Sequence, residues 1–85
     1  MIRVRLLGHI KTAVGAEVVD LERQSIGPAD LVEEIRGMSK ATDPGFTKHN
    51  VLLMIENGEA FVPARDGREI LDGANLVLIP FSHGG

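Results

Sequence analysis

The segment Leu76-Val77-Leu78-Ile79-Pro80-Phe81 constrains this chain most, because it carries no polar side chain. A strand that is apolar on both faces belongs in the middle of a sheet. Pro80 cannot donate to a ladder and marks the end of pairing, so a strand over 75–81 is expected to stop there. At the other end, Ile2-Arg3-Val4-Arg5-Leu6 alternates apolar and charged residues, the period-2 pattern of a half-buried strand. Two such strands within 85 residues imply a single domain spanning 1–85. A domain of that size buries roughly 60–65% of the surface its unfolded chain exposes, which leaves little room for a deep catalytic cleft.

Between these ends, Gly8 to Gly15 is expected to connect the first strand to a second over Glu17–Glu22. Hairpin pairing of the two puts Ile2, Val4 and Leu6 on one face with Val19 and Leu21. Gly27-Pro28 opens a helix, with Asp30, Glu33 and Glu34 near the positive end of its dipole. Leu31, Val32, Ile35 and Met38 form its apolar stripe, and Gly37 stops it. Ser39–Asn50 reads as an irregular loop containing the turn Asp43-Pro44-Gly45. Val51-Leu52-Leu53-Met54-Ile55 suits a central strand. Asn57-Gly58 turns the chain into a short strand, Ala60-Phe61-Val62, stopped by Pro63. Asp66-Gly67 and Asp72-Gly73 are further turns. The order strand, strand, helix, strand, short strand, strand fits an α+β fold: a four- to five-stranded mixed sheet with one main helix on one face. That is the ubiquitin-like β-grasp pattern, with the first and last strands central and parallel.

Composition excludes several kinds of work. Hydrophobic residues are 44% and charged residues 25%, the balance of a folded protein. The net charge of −3 argues against a module that neutralises phosphates, and without Trp or Tyr there is no base-stacking platform, so no nucleic-acid partner is expected. No apolar run approaches the ~20 residues that cross a bilayer, and Met1-Ile2-Arg3-Val4 lacks a signal-peptide layout, so a cytoplasmic location and no membrane partner are expected. There is no Cys, hence no disulfide, thiolate zinc site or Cys nucleophile. His9, His49 and His83 have no second ligand at metal spacing, so no metal is expected. Ser25, Ser39 and Ser82 sit in no nucleophile motif, and the Glu33-Glu34 pair is explained by the helix dipole. Side-chain catalysis is a poor fit.

The C-terminal residues remain. After Phe81 come Ser82-His83-Gly84-Gly85, expected to be a flexible tail over 82–85. Two glycines add no bulk and permit almost any backbone conformation, so such a tail can enter a narrow tunnel in another protein. A terminal carboxylate, ionised at neutral pH with a reference pKa of ~3.3–3.7, can attack the α-phosphate of ATP. The resulting acyl-adenylate then passes its acyl group to sulfur or an amine. A Gly-Gly ending is equally compatible with an ordinary frayed terminus. Its attachment within four residues of a central strand favours a short, firmly based pointer.

Taken together, the opening Met1-Ile2-Arg3-Val4, Gly15, the helix Ala29-Asp30-Leu31-Val32-Glu33-Glu34-Ile35 and the turn Glu56-Asn57-Gly58 resemble a known family. So do Ile70-Leu71-Asp72-Gly73-Ala74-Asn75-Leu76 and the ending Pro80-Phe81-Ser82-His83-Gly84-Gly85. The resemblance is to the ubiquitin-like sulfur carriers typified by MoaD and ThiS, with the ubiquitin-related modifiers and small archaeal modifier proteins. It implies a carrier rather than an enzyme, acting alone or as the small subunit of a synthase. It further implies that an ATP-dependent activating enzyme adenylates Gly85, next to Gly84, and that the adenylate becomes a thiocarboxylate. Its sulfur goes to a molybdopterin precursor, thiazole or tRNA. No cofactor bound by the chain itself is expected, ATP being used by the activating partner. In modifier members the same glycine is joined to a target lysine. The chain departs from the sulfur carriers at Pro80-Phe81, where two prolines are common, at Ala74-Asn75, where an acidic pair is common, and at His83. A β-grasp interaction module with an incidental Gly-Gly is the third reading. Strand geometry also implies a partner surface. With Leu76 and Leu78 facing the helix, Val77, Ile79 and Phe81 line the opposite face beside Ser82 and His83, with Arg3 and Arg5 as its rim.

Overall fold

The computed structural model describes residues 1–40, 43 and 45–81. Seven strands and two helices occur among them: β1 (Ile2–Leu6), α1 (Gly8–Val14), β2 (Val18–Leu21), β3 (Ser25–Ile26), α2 (Pro28–Arg36), β4 (Val51–Asn57), β5 (Ala60–Pro63), β6 (Ile70–Leu71) and β7 (Asn75–Pro80). Five of the strands form a mixed sheet in the order β2-β1-β7-β4-β5, and β3 and β6 form a separate two-stranded ribbon. The expected β-grasp is therefore present. β1 and β7 are parallel neighbours inside the sheet, with Val4 opposite Leu76 and Leu6 opposite Leu78. The β1–β2 hairpin pairs Ile2 with Leu21 and Val4 with Val19, so the expected face is shared.

The apolar alternation decides where the core lies. Ile2, Val4 and Leu6 of β1, Leu76 and Leu78 of β7, and Val51 and Leu53 of β4 are buried, in one cluster with Leu31, Val32 and Ile35 of α2. Gly27 is the N-cap of α2 and Pro28 lies in its first turn, where a missing N–H costs nothing. The helix ends at Arg36 and Gly37, so Met38, expected on the buried stripe, is exposed beyond it.

Four elements differ from the sequence reading. The expected connection Gly8–Gly15 contains α1. Its Ile10 and Val14 lie one turn apart and are buried, and Gly15 closes the helix at φ 82°, donating its N–H to the Lys11 carbonyl. One buried stripe over so short a helix is a weak periodic signal, and no acidic residue or side-chain cap marks its start. The irregular segment 39–50 hides Phe46, which is 1% exposed. Its carbonyl accepts from Arg36 Nε at 2.6 Å, tying the loop to α2. Within the Asp43-Pro44-Gly45 turn, Pro44 lies outside the described residues, and the Gly45 N–H donates to Asp43 Oδ1 at 3.0 Å. Pro63 is the last residue of β5 rather than its stop, tolerated because β5 is an edge strand. Finally, Ile26 and Ile70 pair across the β3–β6 ribbon and are buried, a two-residue pairing too short to show as a pattern.

Candidate functional site

With the core on one side of the sheet, the alternate residues face the other way. The register places Arg5 beside Val18 and Val77, Val77 beside Met54, and Met54 beside Pro63, one row across all five strands. On one side of this row Leu52 lies opposite Ile79. On the other, Arg3 lies opposite Asp20 and Asn75, and Glu56 opposite Phe61. Val77, Ile79, Leu52 and Met54 are half-buried, whereas Phe61 (50%) and Phe81 (47%) stay largely exposed. An open groove of about 490 Å³ runs across this face, lined by Arg3, Arg5, Leu7, Val18, Glu56, Phe61 and Val77 among others. Contiguous apolar surface of this kind, edged by charge, marks a contact site more often than idle surface.

The two arginines of β1 differ. Arg3 meets Asp20 through both forks, Nε to Oδ1 at 2.9 Å and Nη2 to Oδ2 at 3.4 Å. That hydrogen bonding, with the attraction of opposite charges, raises the Arg3 pKa above its ordinary value, and the Arg3 hydrogen bond holds the Asp20 carboxyl below its own. No ion pair forms at Arg5 among the described residues. Arg5 stands between two valines, so the expected rim residue lies inside the row, one strand in from its β2 end.

The route out of the sheet is held on both sides. The Leu7 N–H donates to the Leu78 carbonyl at 3.2 Å on the β1 side. On the β4 side Pro80 is in register with Val51, and the Phe81 N–H donates to the Asn50 carbonyl at 3.2 Å. Gly8 sits against the Pro80 ring with φ +58°, and a Cβ there would approach Pro80 Cγ to 2.8 Å. Only glycine satisfies both the left-handed backbone and the close approach.

The structure thus brings Val77, Ile79, Arg3 and Arg5 to one face and Phe81 to its exit, while Ser82, His83, Gly84 and Gly85 lie outside the described residues. Leu52, Met54, Phe61, Val18 and Leu7 were not singled out from the sequence. For Leu52 and Met54 the signal is absent, because in the all-apolar run Val51–Ile55 alternation cannot distinguish the faces. For Phe61 it was available: it lies in a short strand after the Asn57-Gly58 turn. Of the histidines, His9 has Nε2 3.3 Å from the Gly45 carbonyl and His49 is exposed. Among the described residues no group of three or more His, Cys, Asp or Glu side chains is placed to hold a metal. No described helix is long and apolar enough to cross a membrane.

No protein-family model matches the chain, and no curated protein matches it. Solved structures do. The crystal structure of small archaeal modifier protein 1 from Haloferax volcanii superposes over 99% of this chain and 98% of its own, with TM-score 0.68 and 20% sequence identity. A second crystal structure of Haloferax volcanii small archaeal modifier protein 1 covers 95% of this chain and 97% of its own, with TM-score 0.66 and 19% identity. Identity this low carries the architecture alone.

Proposed function

We propose that this chain is a ubiquitin-like sulfur carrier, charged at the Gly85 carboxylate by an ATP-dependent activating enzyme that docks on the open face of the sheet. The carrying observation is the placement of β7. It is paired with β1 as far as Leu78 and with β4 as far as Pro80, and the Phe81 N–H still reaches the Asn50 carbonyl. The four residues 82–85 therefore start from a rigid base beside an apolar face. In the proposed chemistry a Gly85 carboxylate oxygen attacks the α-phosphorus of ATP in the partner's site and pyrophosphate leaves. Sulfide-level sulfur then attacks the acyl carbon, AMP leaves, and a thiocarboxylate remains. Gly84 and Gly85 leave that carbon unhindered. Ser82 and His83 belong to the stretch the partner's tunnel encloses, with Val77, Ile79 and Phe81 on the docking face. A sulfur acceptor downstream is a small molecule or a tRNA.

The test is mass spectrometry of the C-terminal peptide after incubation with ATP, the activating enzyme and a sulfur donor. Exchange of one oxygen for sulfur is expected, and an unchanged peptide refutes the proposal. A second reading draws on the modifier named in the matching structures: the same adenylate transferred to a target lysine amine. High-mass conjugates in extracts that vanish when Gly85 is deleted support it. If neither product forms and deletion leaves partner binding intact, the chain is an interaction module.

A further inference from the structure

Of the charged groups on the open face, Arg3 and Asp20 satisfy each other. Arg5 points from the same face of the same strand, yet among the described residues no carboxylate pairs with it. Its register partners are Val18 and Val77, and Leu7, just past the end of its strand, lines the same groove. A guanidinium carries five N–H donors in a rigid fork, and here they rise from an apolar surround. Glu56 lines the same groove and likewise forms no ion pair among the described residues. The face is therefore positive over β1 and negative over β4, with Val77 between.

We infer that this face selects a partner presenting a carboxylate set among apolar side chains, with Arg5 as the residue that receives it. The inference rests on the activating-enzyme reading above and names the side chain by which that enzyme recognises the chain. Docking an apolar surface strips water from Arg5. An uncompensated guanidinium opposes that burial, whereas a bidentate carboxylate gives short, directional hydrogen bonds. A carboxylate misplaced over β4 meets Glu56 and is repelled, so the two charges set the register of docking. Arg3 already has its carboxylate and contributes little to the selection.

The experiment follows ATP–pyrophosphate exchange driven by the full chain, with the activating enzyme purified by that same exchange. Arg5→Ala is expected to raise KM for the chain about 30-fold or more, the scale of an interface hot spot, with kcat nearly unchanged. Arg3→Ala should change KM by less than about threefold, and Arg5→Lys should fall between because it keeps charge without the fork. Unfolding midpoints equal to the parent's exclude misfolding as the cause. If the parent chain drives exchange but Arg5→Ala matches it, or Arg3→Ala loses as much, the inference is overturned while the carrier reading stands. If the parent drives no exchange, both fall. Arg5-dependent self-association in sedimentation would assign the face to a second copy and overturn the inference as well.

Discussion

Gly8 and the pair Arg3 and Arg5 show how little of a residue's role its identity reveals. Gly8 is expected only at the start of a connection, but its φ of +58° and the Pro80 ring against it make it the point where the first residue of α1 meets the end of β7. Gly8→Ala adds a left-handed penalty of about 1–2 kcal/mol and overpacking of about 1–3 kcal/mol. A stability loss of that order in urea unfolding is expected, and an unchanged midpoint would refute the contact. Arg3 and Arg5 are the same residue type in the same alternating pattern, and only the neighbouring strand separates them by supplying Asp20. Because that pairing depresses the Asp20 pKa, its contribution to stability is full above the ordinary aspartate value and fades as pH falls through the lower folded value. In an NMR titration Asp20 should protonate below the ordinary range and move back toward it in Arg3→Ala. Both side chains are exposed, so the effect on global stability is small.

At the level of elements, β7 divides its residues between two tasks. Leu78 is fully buried between β1 and β4, while Phe81, just past the end, is 47% exposed. Leu78→Ala should cost about 2–5 kcal/mol of stability. Phe81→Ala should stay within about 0.5 kcal/mol in unfolding and instead weaken docking of the activating enzyme, measured by its KM in exchange. Phe46 is the opposite case, a large buried side chain in a segment with no periodic pattern. Phe46→Ala should cost about 3–5 kcal/mol in the same unfolding assay. Strands β1 and β2 were legible from their alternation, β4 and β7 as short apolar runs bounded by turns, β5 from the Asn57-Gly58 turn before it, and helix α2 from its apolar stripe and the proline at its start. α1, the β3–β6 ribbon and the burial of Phe46 were not, since a one-turn stripe, a two-residue pair and a single aromatic leave no repeat to read.

For the whole molecule, the parallel pairing of β1 with β7 joins the first and last described strands and places both inside the sheet. Amides of β1, β7 and β4 should therefore exchange with deuterium most slowly, and those of edge strands β2 and β5 sooner, because central ladders open only in larger unfolding events. Among the described residues the buried cluster reaches no further along the chain than Leu78. Deleting Gly85 should accordingly leave the unfolding midpoint unchanged while abolishing pyrophosphate exchange. A lowered midpoint would show a structural role, and persisting exchange would refute the proposed chemistry.

What the order of residues determined by itself was the set of local periods: an alternating first strand, a doubly apolar last strand, one capped helix and the turns between. Those suffice for the β-grasp, because few arrangements bury such strands around one helix. Which residues share the outward face was decided only by tertiary structure. Pairing brings Arg5, Val77 and Met54, far apart in the chain, into one row, and cross-strand register is a long-range property that no local pattern encodes. Among the described residues the same register gives Arg3 a carboxylate partner and Arg5 none, a difference invisible in Ile2-Arg3-Val4-Arg5-Leu6.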